Sequence, residues 1–287
     1  MGACFLCTEV EGFDSHTVHL NASVAQRIEH RTSNPVAVGS NPTGGTNFIM
    51  RGTMNAHTIQ YCRDYRTMSR KAASIVIFAY HQTDNYGIPF FSIGTPTGST
   101  PIGFYQQLRN SNRLDWKKIH TFNLDEYVGL HPGDKNSYRA FMDEHLFNHV
   151  PIPKENIHFP KLDAPNSYED EIASTFGLDI TILGIGKNGH IAFNEPGSDF
   201  DSITRPVELD QQTRRDNSRF FDSLEDVPTT AVTMGLSTIM KSKHIVLMAC
   251  GQEKLDILRE AVWGNITPDV PASVLQNHPK LTVFYCD

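Results

Sequence analysis

Asp179-Ile-Thr-Ile-Leu183 is a short apolar run rich in β-branched residues, and Gly184-Ile-Gly-Lys-Asn-Gly189 follows it at once. A continuous apolar run of that length reads as a strand buried on both faces, the mark of a parallel sheet covered by helices. Glycines at its end let the backbone turn sharply or come close to a ligand. The combination points to an α/β architecture. In open α/β sheets the carboxyl ends of the strands are also where ligands bind.

The stretch from Gly184 to Pro196 carries His190, the amides of Asn188 and Asn194, and the carboxylate of Glu195. Three readings compete for it. Gly184-x-Gly186-x-x-Gly189 matches the dinucleotide fingerprint. Against that, Pro196 and Gly197-Ser198-Asp199 stop any long helix, and the motif lies far from the first βα unit. A catalytic loop would use His190 as proton carrier, with Glu195 orienting or charging it. A loop histidine bonded to a nearby acid for structure alone is the third reading, and this stretch by itself leaves the last two open.

Strand, loop and helix signals recur along the chain. Thr58–Cys62 alternates as a short strand, and Met68, Ala72, Ile75, Val76 and Ala79 follow at helical spacing. Pro89–Gly94 reads as a second strand, ending in Thr95-Pro-Thr97-Gly98-Ser99-Thr100-Pro101. Pro101 at a first helical position starts a helix through Gln107, with Phe104, Tyr105 and Leu108 facing inward. Free N–H groups around Gly98, the hydroxyls of Thr97, Ser99 and Thr100, and the positive helix end together suit a phosphate; a plain connector is the alternative. The Gly-Lys-Ser/Thr ending of a Walker loop is missing.

Ile119–Asn123 is the next strand, followed by Leu124-Asp125-Glu126-Tyr127. A carboxylate at a strand end can take a proton from carbon if it stays ionised, although burial raises its pKa. The bland alternative is that both acids simply cap the next element of the chain. Tyr138, Phe141, Met142 and Leu146 read as one helix, Pro151, Pro153 and Pro160 as an exposed connection, and Ser167–Thr175 as another helix. Beyond the glycine loop stand Arg205, Arg214, Arg215 and Arg219, whose forked heads suit phosphate. His244–Ala249 is a clear strand and a helix runs on to Val262, placing Lys254 one turn in, within reach of a bound phosphate. Residues 271–276 read as one or two helical turns and Leu281–Tyr285 as the last strand. With no internal repeat and no linker after residue 58, residues 54–287 read as one domain.

A net charge of −7 argues against a nucleic-acid surface. The five cysteines, Cys4, Cys7, Cys62, Cys250 and Cys286, are odd in number and scattered, so the chain is expected in a reducing compartment, the cytoplasm. Cys4-x-x-Cys7 lacks the second pair a metal site needs, so no metal is expected. Leu6 stands where N-myristoylation wants Ser or Thr, and no run is long and apolar enough to cross a membrane. Residues 1–53 show no sustained period and are expected to carry little fold. Ser23 through Thr46 resembles a peptide translated from the complement of a transfer-RNA gene, with Gly39-Ser-Asn-Pro42 matching the T-arm. The expectation is a misassigned start, with Met54 nearer the true one.

Five blocks now stand in order: Thr97-Gly-Ser-Thr-Pro101, Phe122-Asn-Leu-Asp-Glu-Tyr-Val-Gly-Leu130, Gly189-His-Ile-Ala-Phe-Asn-Glu-Pro196, Asn217-Ser-Arg-Phe-Phe221 and Gly251-Gln-Glu-Lys254. With them the chain closely resembles the glucosamine-6-phosphate deaminase family, over roughly residues 58–287. The resemblance implies a single Rossmann-like three-layer αβα domain with a mostly parallel sheet and no nucleotide. It implies conversion of glucosamine 6-phosphate and water to fructose 6-phosphate and ammonia, with no metal or redox cofactor. In that scheme Asp125 moves a proton from C2 to C1, and His190, bonded to Glu195 and Asn188, opens the sugar ring. Thr97, Gly98, Ser99, Thr100, Arg219 and Lys254 hold the phosphate. The only partner implied is the small-molecule phosphosugar, with neither nucleic acid nor membrane, and monomer and homo-oligomer both stay open.

Asn188 departs from the acid common at that position, and it adds no negative charge beside His190. Its Lys-Asn-Gly-His form and the stop at Asp287 resemble the shorter bacterial subgroup. Family members activated by N-acetylglucosamine 6-phosphate have more basic residues; Arg205 and Ser198 match part of that site, but Val207 stands where a lysine is common, so activation is not expected. Nothing in the residues separates glucosamine from galactosamine 6-phosphate.

Overall fold

The computed structural model describes residues 57–287, together with a two-residue antiparallel pairing of Gly39–Ser40 with Thr46–Asn47. Apart from that pairing, the expectations for residues 1–53, the Cys4-x-x-Cys7 reading and the start at Met54 lie outside the described residues.

Seven parallel strands form the central sheet. In chain order its strands are β1 (Ile59–Tyr61), β2 (Phe91–Thr95), β3 (Ile119–Asn123), β5 (Ile157–His158), β6 (Ile180–Leu183), β9 (Ile245–Cys250) and β10 (Leu281–Cys286), and they stand side by side as β1-β10-β9-β6-β2-β3-β5. β2 and β6 are buried along their whole length, as their apolar runs require.

Alternation sends side chains to two cores. Val246 and Met248 of β9 join the cluster under helices α1 (Tyr65–Asn85), α2 (Ile102–Arg109) and α3 (Tyr138–His145), whereas Ile245, Leu247 and Ala249 join the opposite one. That opposite face is covered by α4 (Pro165–Ser174), α6 (Leu236–Met240), α7 (Leu255–Trp263) and the 3₁₀ turns of Pro271–Asn277. The result is the expected three-layer αβα arrangement. Phe104, Tyr105 and Leu108 of α2 all point inward, as the spacing predicts.

A second, smaller sheet has no counterpart in the sequence reading. β4 (Asp125–Tyr127) and β7 (Arg205–Glu208) flank β8 (Thr230–Thr233), all antiparallel. Helix α5 (Gln211–Asn217) follows β7, capped by the Asp210 carboxylate on the Gln212 N–H. Under this sheet Tyr127, Phe193, Leu209 and Ala231 make a third small core.

Candidate active site

β2 and β6 are neighbours from which the chain departs in opposite directions, toward β3 and β5 on one side and toward β9 and β10 on the other. Such a switch point leaves a crevice between the two strand-end loops. Here those loops are Thr97–Thr100 and Gly184–Pro196. Asp125 follows β3 and Lys254 follows β9 on the same side of the sheet, so four sequence-predicted segments converge.

His190 is held by an amide. Its Nδ1 lies 2.7 Å from Asn188 Oδ1 and 3.4 Å from Glu195 Oε2. Asn188 donates from Nδ2 to Glu195 Oε2 at 2.9 Å; a carboxylate only accepts, so Asn188 Oδ1 is the acceptor turned toward His190. Nδ1 therefore carries the hydrogen, and Nε2 keeps a lone pair that can take a proton from a ligand. Burial would push the Glu195 carboxyl up, but hydrogen bonding and charge from His190, with a further bond from Asn188, hold it below the usual carboxylate range. Its second oxygen, Oε1, is buried with no partner among the described residues.

The glycines serve this histidine. A Cβ built on Gly186 would lie 2.2–2.5 Å from three atoms of the imidazole, so only glycine admits the ring. Gly189 has φ +84°, and a Cβ there would meet Val270 Cγ1 at 2.7 Å. No helix follows Gly189. The dinucleotide reading is thereby removed on geometry.

Asp125 and Glu126 divide their roles. The Glu126 carboxylate accepts from the Tyr138 and Arg139 N–H groups, each at 2.9 Å, so it caps the start of α3 alongside Ser137. Capping is thus right for Glu126 and wrong for Asp125. Asp125 is buried, and no protein donor among the described residues reaches its carboxylate. Burial first, then the nearby Glu126 charge, raises its pKa well above the ordinary value. Tyr105, Tyr127, Tyr138 and Tyr168 all sit close enough to feel its charge.

One strand registers the two centres against each other. Thr233 of β8 is the cross-strand partner of Asp125, and its hydroxyl accepts from the Phe193 N–H at 3.1 Å. Next to it, Met234 accepts from Asn194 Nδ2 at 2.9 Å. The histidine loop and the acid are therefore pinned to Thr233, the last residue of β8, and the loop also to Met234 directly after it.

The phosphate candidates gather less tightly. Tyr65 braces the Thr97–Thr100 loop: its hydroxyl donates toward the carbonyls of Ser99 and Thr100 at 3.1 and 3.0 Å and accepts from the Gly103 N–H at 2.7 Å. Lys254 Nζ donates to the Ile185 carbonyl at 2.8 Å, at the root of the glycine loop. Burial lowers its pKa; the Glu253 and Asp216 carboxylates oppose that and the Lys187 and Arg219 charges add to it, so Lys254 stands near two further cations and two acids. Arg219 lies over the Phe220 ring, 4.7 Å from its centroid. Two residues earlier, Asn217 Nδ2 donates to the Tyr127 hydroxyl at 3.0 Å. Tyr65, Tyr127, Lys187 and Thr233 were not singled out from sequence; only the exposed Lys187, inside the glycine loop, carried a readable signal.

Arg205 and Ser198 line a cavity of about 360 Å³ with Glu195, Val207 and Glu208, on the flank of the histidine loop. Arg205 spends a guanidinium N–H on Asn194 Oδ1 at 2.9 Å.

Compared with known proteins, residues 64–284 match the family described as glucosamine-6-phosphate isomerases/6-phosphogluconolactonase. A glucosamine-6-phosphate deaminase of Oceanobacillus iheyensis is 46% identical over 230 residues, which cover 77% of this chain and 90% of that one. The solved structure of a monomeric glucosamine-6-phosphate deaminase superimposes with a TM-score of 0.75 at 39% identity, covering 79% of this chain and 96% of the other. A 6-phosphogluconolactonase from Thermotoga maritima reaches a TM-score of 0.63 at 22% identity over 79% of this chain and 98% of its own, a likeness of fold alone.

Proposed function

The chain belongs to the family of glucosamine-6-phosphate isomerases and 6-phosphogluconolactonases, and from that premise we propose that it converts glucosamine 6-phosphate and water to fructose 6-phosphate and ammonia. Net consumption of water makes this a hydrolytic deamination as well as an aldose–ketose isomerisation. The observation that carries the reading is the pairing of an Nδ1–H imidazole at His190 with a separate, buried carboxyl at Asp125, both registered on β8.

The reaction needs one group for an oxygen-bound proton and another for a carbon-bound one. His190 Nε2 takes the proton from the sugar's anomeric hydroxyl and returns one to the ring oxygen, opening the ring. Asn188 and Glu195 hold the imidazole, and Glu195 stabilises the imidazolium formed midway. Asp125 then removes the proton at C2 and delivers it to C1; the amine-bearing carbon is left at the imine level, where water adds and ammonia leaves. Burial strengthens Asp125 as a base, because a raised pKa is a raised proton affinity.

Thr97, Gly98, Ser99 and Thr100 at the helix end, with Arg219 and Lys254, hold the phosphate. Lys187 stands near the same two cations, in a neighbourhood that Glu253 and Asp216 partly neutralise. We read the catalytic domain as residues 54–287, acting as a monomer in the cytoplasm without activation by N-acetylglucosamine 6-phosphate. Light scattering with and without that ester checks the assembly.

The deciding assay is ammonia release from glucosamine 6-phosphate by the full chain and by Asp125→Asn, with galactosamine 6-phosphate and 6-phosphogluconolactone as comparators. Expected are ammonia from the glucosamine ester and its loss in the variant. Lactone hydrolysis without ammonia would overturn the reaction while leaving fold and phosphate loop in place, and unchanged turnover in the variant would remove Asp125 from the chemistry.

A further inference from the structure

Three cysteines end neighbouring strands of the central sheet, and none takes part in the chemistry above. Cys250 closes β9, Cys286 closes β10, and Cys62 follows β1. In the parallel register of β9 and β10, Cys250 stands directly opposite Cys286, and their Sγ atoms lie 2.7 Å apart. Cys62 is tied to the same strand through its N–H on the Tyr285 carbonyl, but its Sγ turns to the Gln60 carbonyl at 3.8 Å. Among the described residues, only the thiols of Cys250 and Cys286 meet.

The two sulfurs differ in access. Cys286 is fully buried and Cys250 half-buried. Burial, then the neighbouring Cys250 thiol, raises the Cys286 pKa, so Cys286 stays a thiol and donates its hydrogen toward Cys250. Cys250 accepts that hydrogen bond and is the sulfur an oxidant from solvent reaches first.

We propose that Cys250 and Cys286 form an oxidisable dithiol that hydrogen peroxide converts into an intramolecular disulfide. Cys250 gives up its proton and its sulfur attacks one peroxide oxygen; the S–O bond forms, the O–O bond breaks, and the departing hydroxide takes up that proton as water, leaving a sulfenic acid. Cys286 sulfur then attacks Cys250 sulfur, the S–S bond forms, the S–O bond breaks, and the displaced hydroxide takes up the Cys286 proton as water. Two thiols are oxidised by two electrons and one peroxide is reduced to two waters. The bond would tie the turn Gly251–Lys254, which carries a proposed phosphate lysine, to the last strand. The site stands independently of the substrate assignment.

The test exposes the native full chain to hydrogen peroxide and follows intact mass and a non-reducing peptide map. Expected is loss of two hydrogens, reversed by dithiothreitol, with one cross-linked species joining the peptides of Cys250 and Cys286. In Cys286→Ala the cross-link should vanish and Cys250 should instead add a single oxygen that dimedone traps. Cys62→Ala should leave the cross-link intact. A Cys62–Cys286 bond, or a Cys250 that gains two or three oxygens in the natural chain without cross-linking, would overturn the proposal. So would full retention of all three thiols under peroxide that oxidises Cys250 in the Cys286→Ala chain.

Discussion

His190 owes its place to a side chain that is absent. The imidazole packs where a Gly186 Cβ would stand, so Gly186→Ala must swing the ring off Asn188 or shift the loop. A misplacement of that size should lower kcat on the order of 100-fold, while the circular dichroism spectrum stays that of the natural chain. A loss of less than about fivefold would mean that the ring tolerates the move and that its position is not limiting. Asp125 gives the second residue-scale expectation. In the proposed reaction the ionised form is the base, and burial, then the Glu126 charge, holds the pKa above the ordinary carboxylate value of about 3.9. Activity is therefore retained above the raised pKa and lost as pH falls through it. The acid limb of kcat/KM, which reports the free enzyme, should lie distinctly above pH ~4. A limb at the ordinary value would show that Asp125 is solvated or is not the base.

The small antiparallel sheet decides whether those residues meet. Thr233→Val keeps the shape but removes the hydroxyl that accepts the Phe193 N–H, leaving a buried donor unpaired at a cost of about 1–3 kcal/mol. Urea unfolding should show that loss, kcat should fall with it, and Thr233→Ser should restore both; a valine variant as active and as stable as the natural chain would sink the registering role. This is also the scale at which the sequence was least legible. β6 and β9 announce themselves because strands buried on both faces are continuous apolar runs bounded by glycine or basic residues. Asp125-Glu-Tyr127, Arg205-Pro-Val-Glu208 and Thr230-Ala-Val-Thr233 are short, half polar and without sustained alternation, so nothing local marks them as strands. Ile157–His158 pairs with β3 from within a proline-rich connection for the same reason. His190, Asp125 and the Thr97–Thr100 loop drew notice because their side chains and turn glycines stand at strand ends, while the residues alone left a structural reading of each open and the family resemblance supplied the roles. Gly186 against His190, or Thr233 against Phe193, are meetings through space that no spacing along the chain encodes.

Across the whole molecule the two ends of the sheet do different work. The carboxyl ends hold the proposed site, whereas the amino ends hold supporting polar contacts: His244 with Thr282 Oγ1 at 2.9 Å, His278 with the Ser242 carbonyl at 2.8 Å, Ser242 Oγ with Thr181 Oγ1 at 2.7 Å, and Lys243 Nζ with the buried Asp179 Oδ1 at 2.7 Å. Burial, reinforced by the Lys280 and His278 charges, lowers the His244 pKa from 6.5 to about 4. The unfolded chain therefore binds more protons than the folded one between those values. Stability from this residue is complete above pH 6.5 and is lost as pH falls toward 4. The loss is on the order of 2 kcal/mol once solvent screening is discounted. His244→Gln, which cannot take the charge, should flatten the fall in urea-unfolding free energy between pH 7 and pH 4.5 by about that amount. Because β9 separates His244 from Lys254 by the depth of the sheet, about 20 Å for its six residues, the same variant should leave the pH profile of kcat/KM where it was. If the profile moved with the stability, the two ends would be coupled, and the division between a supporting edge and a reacting edge would have to be abandoned.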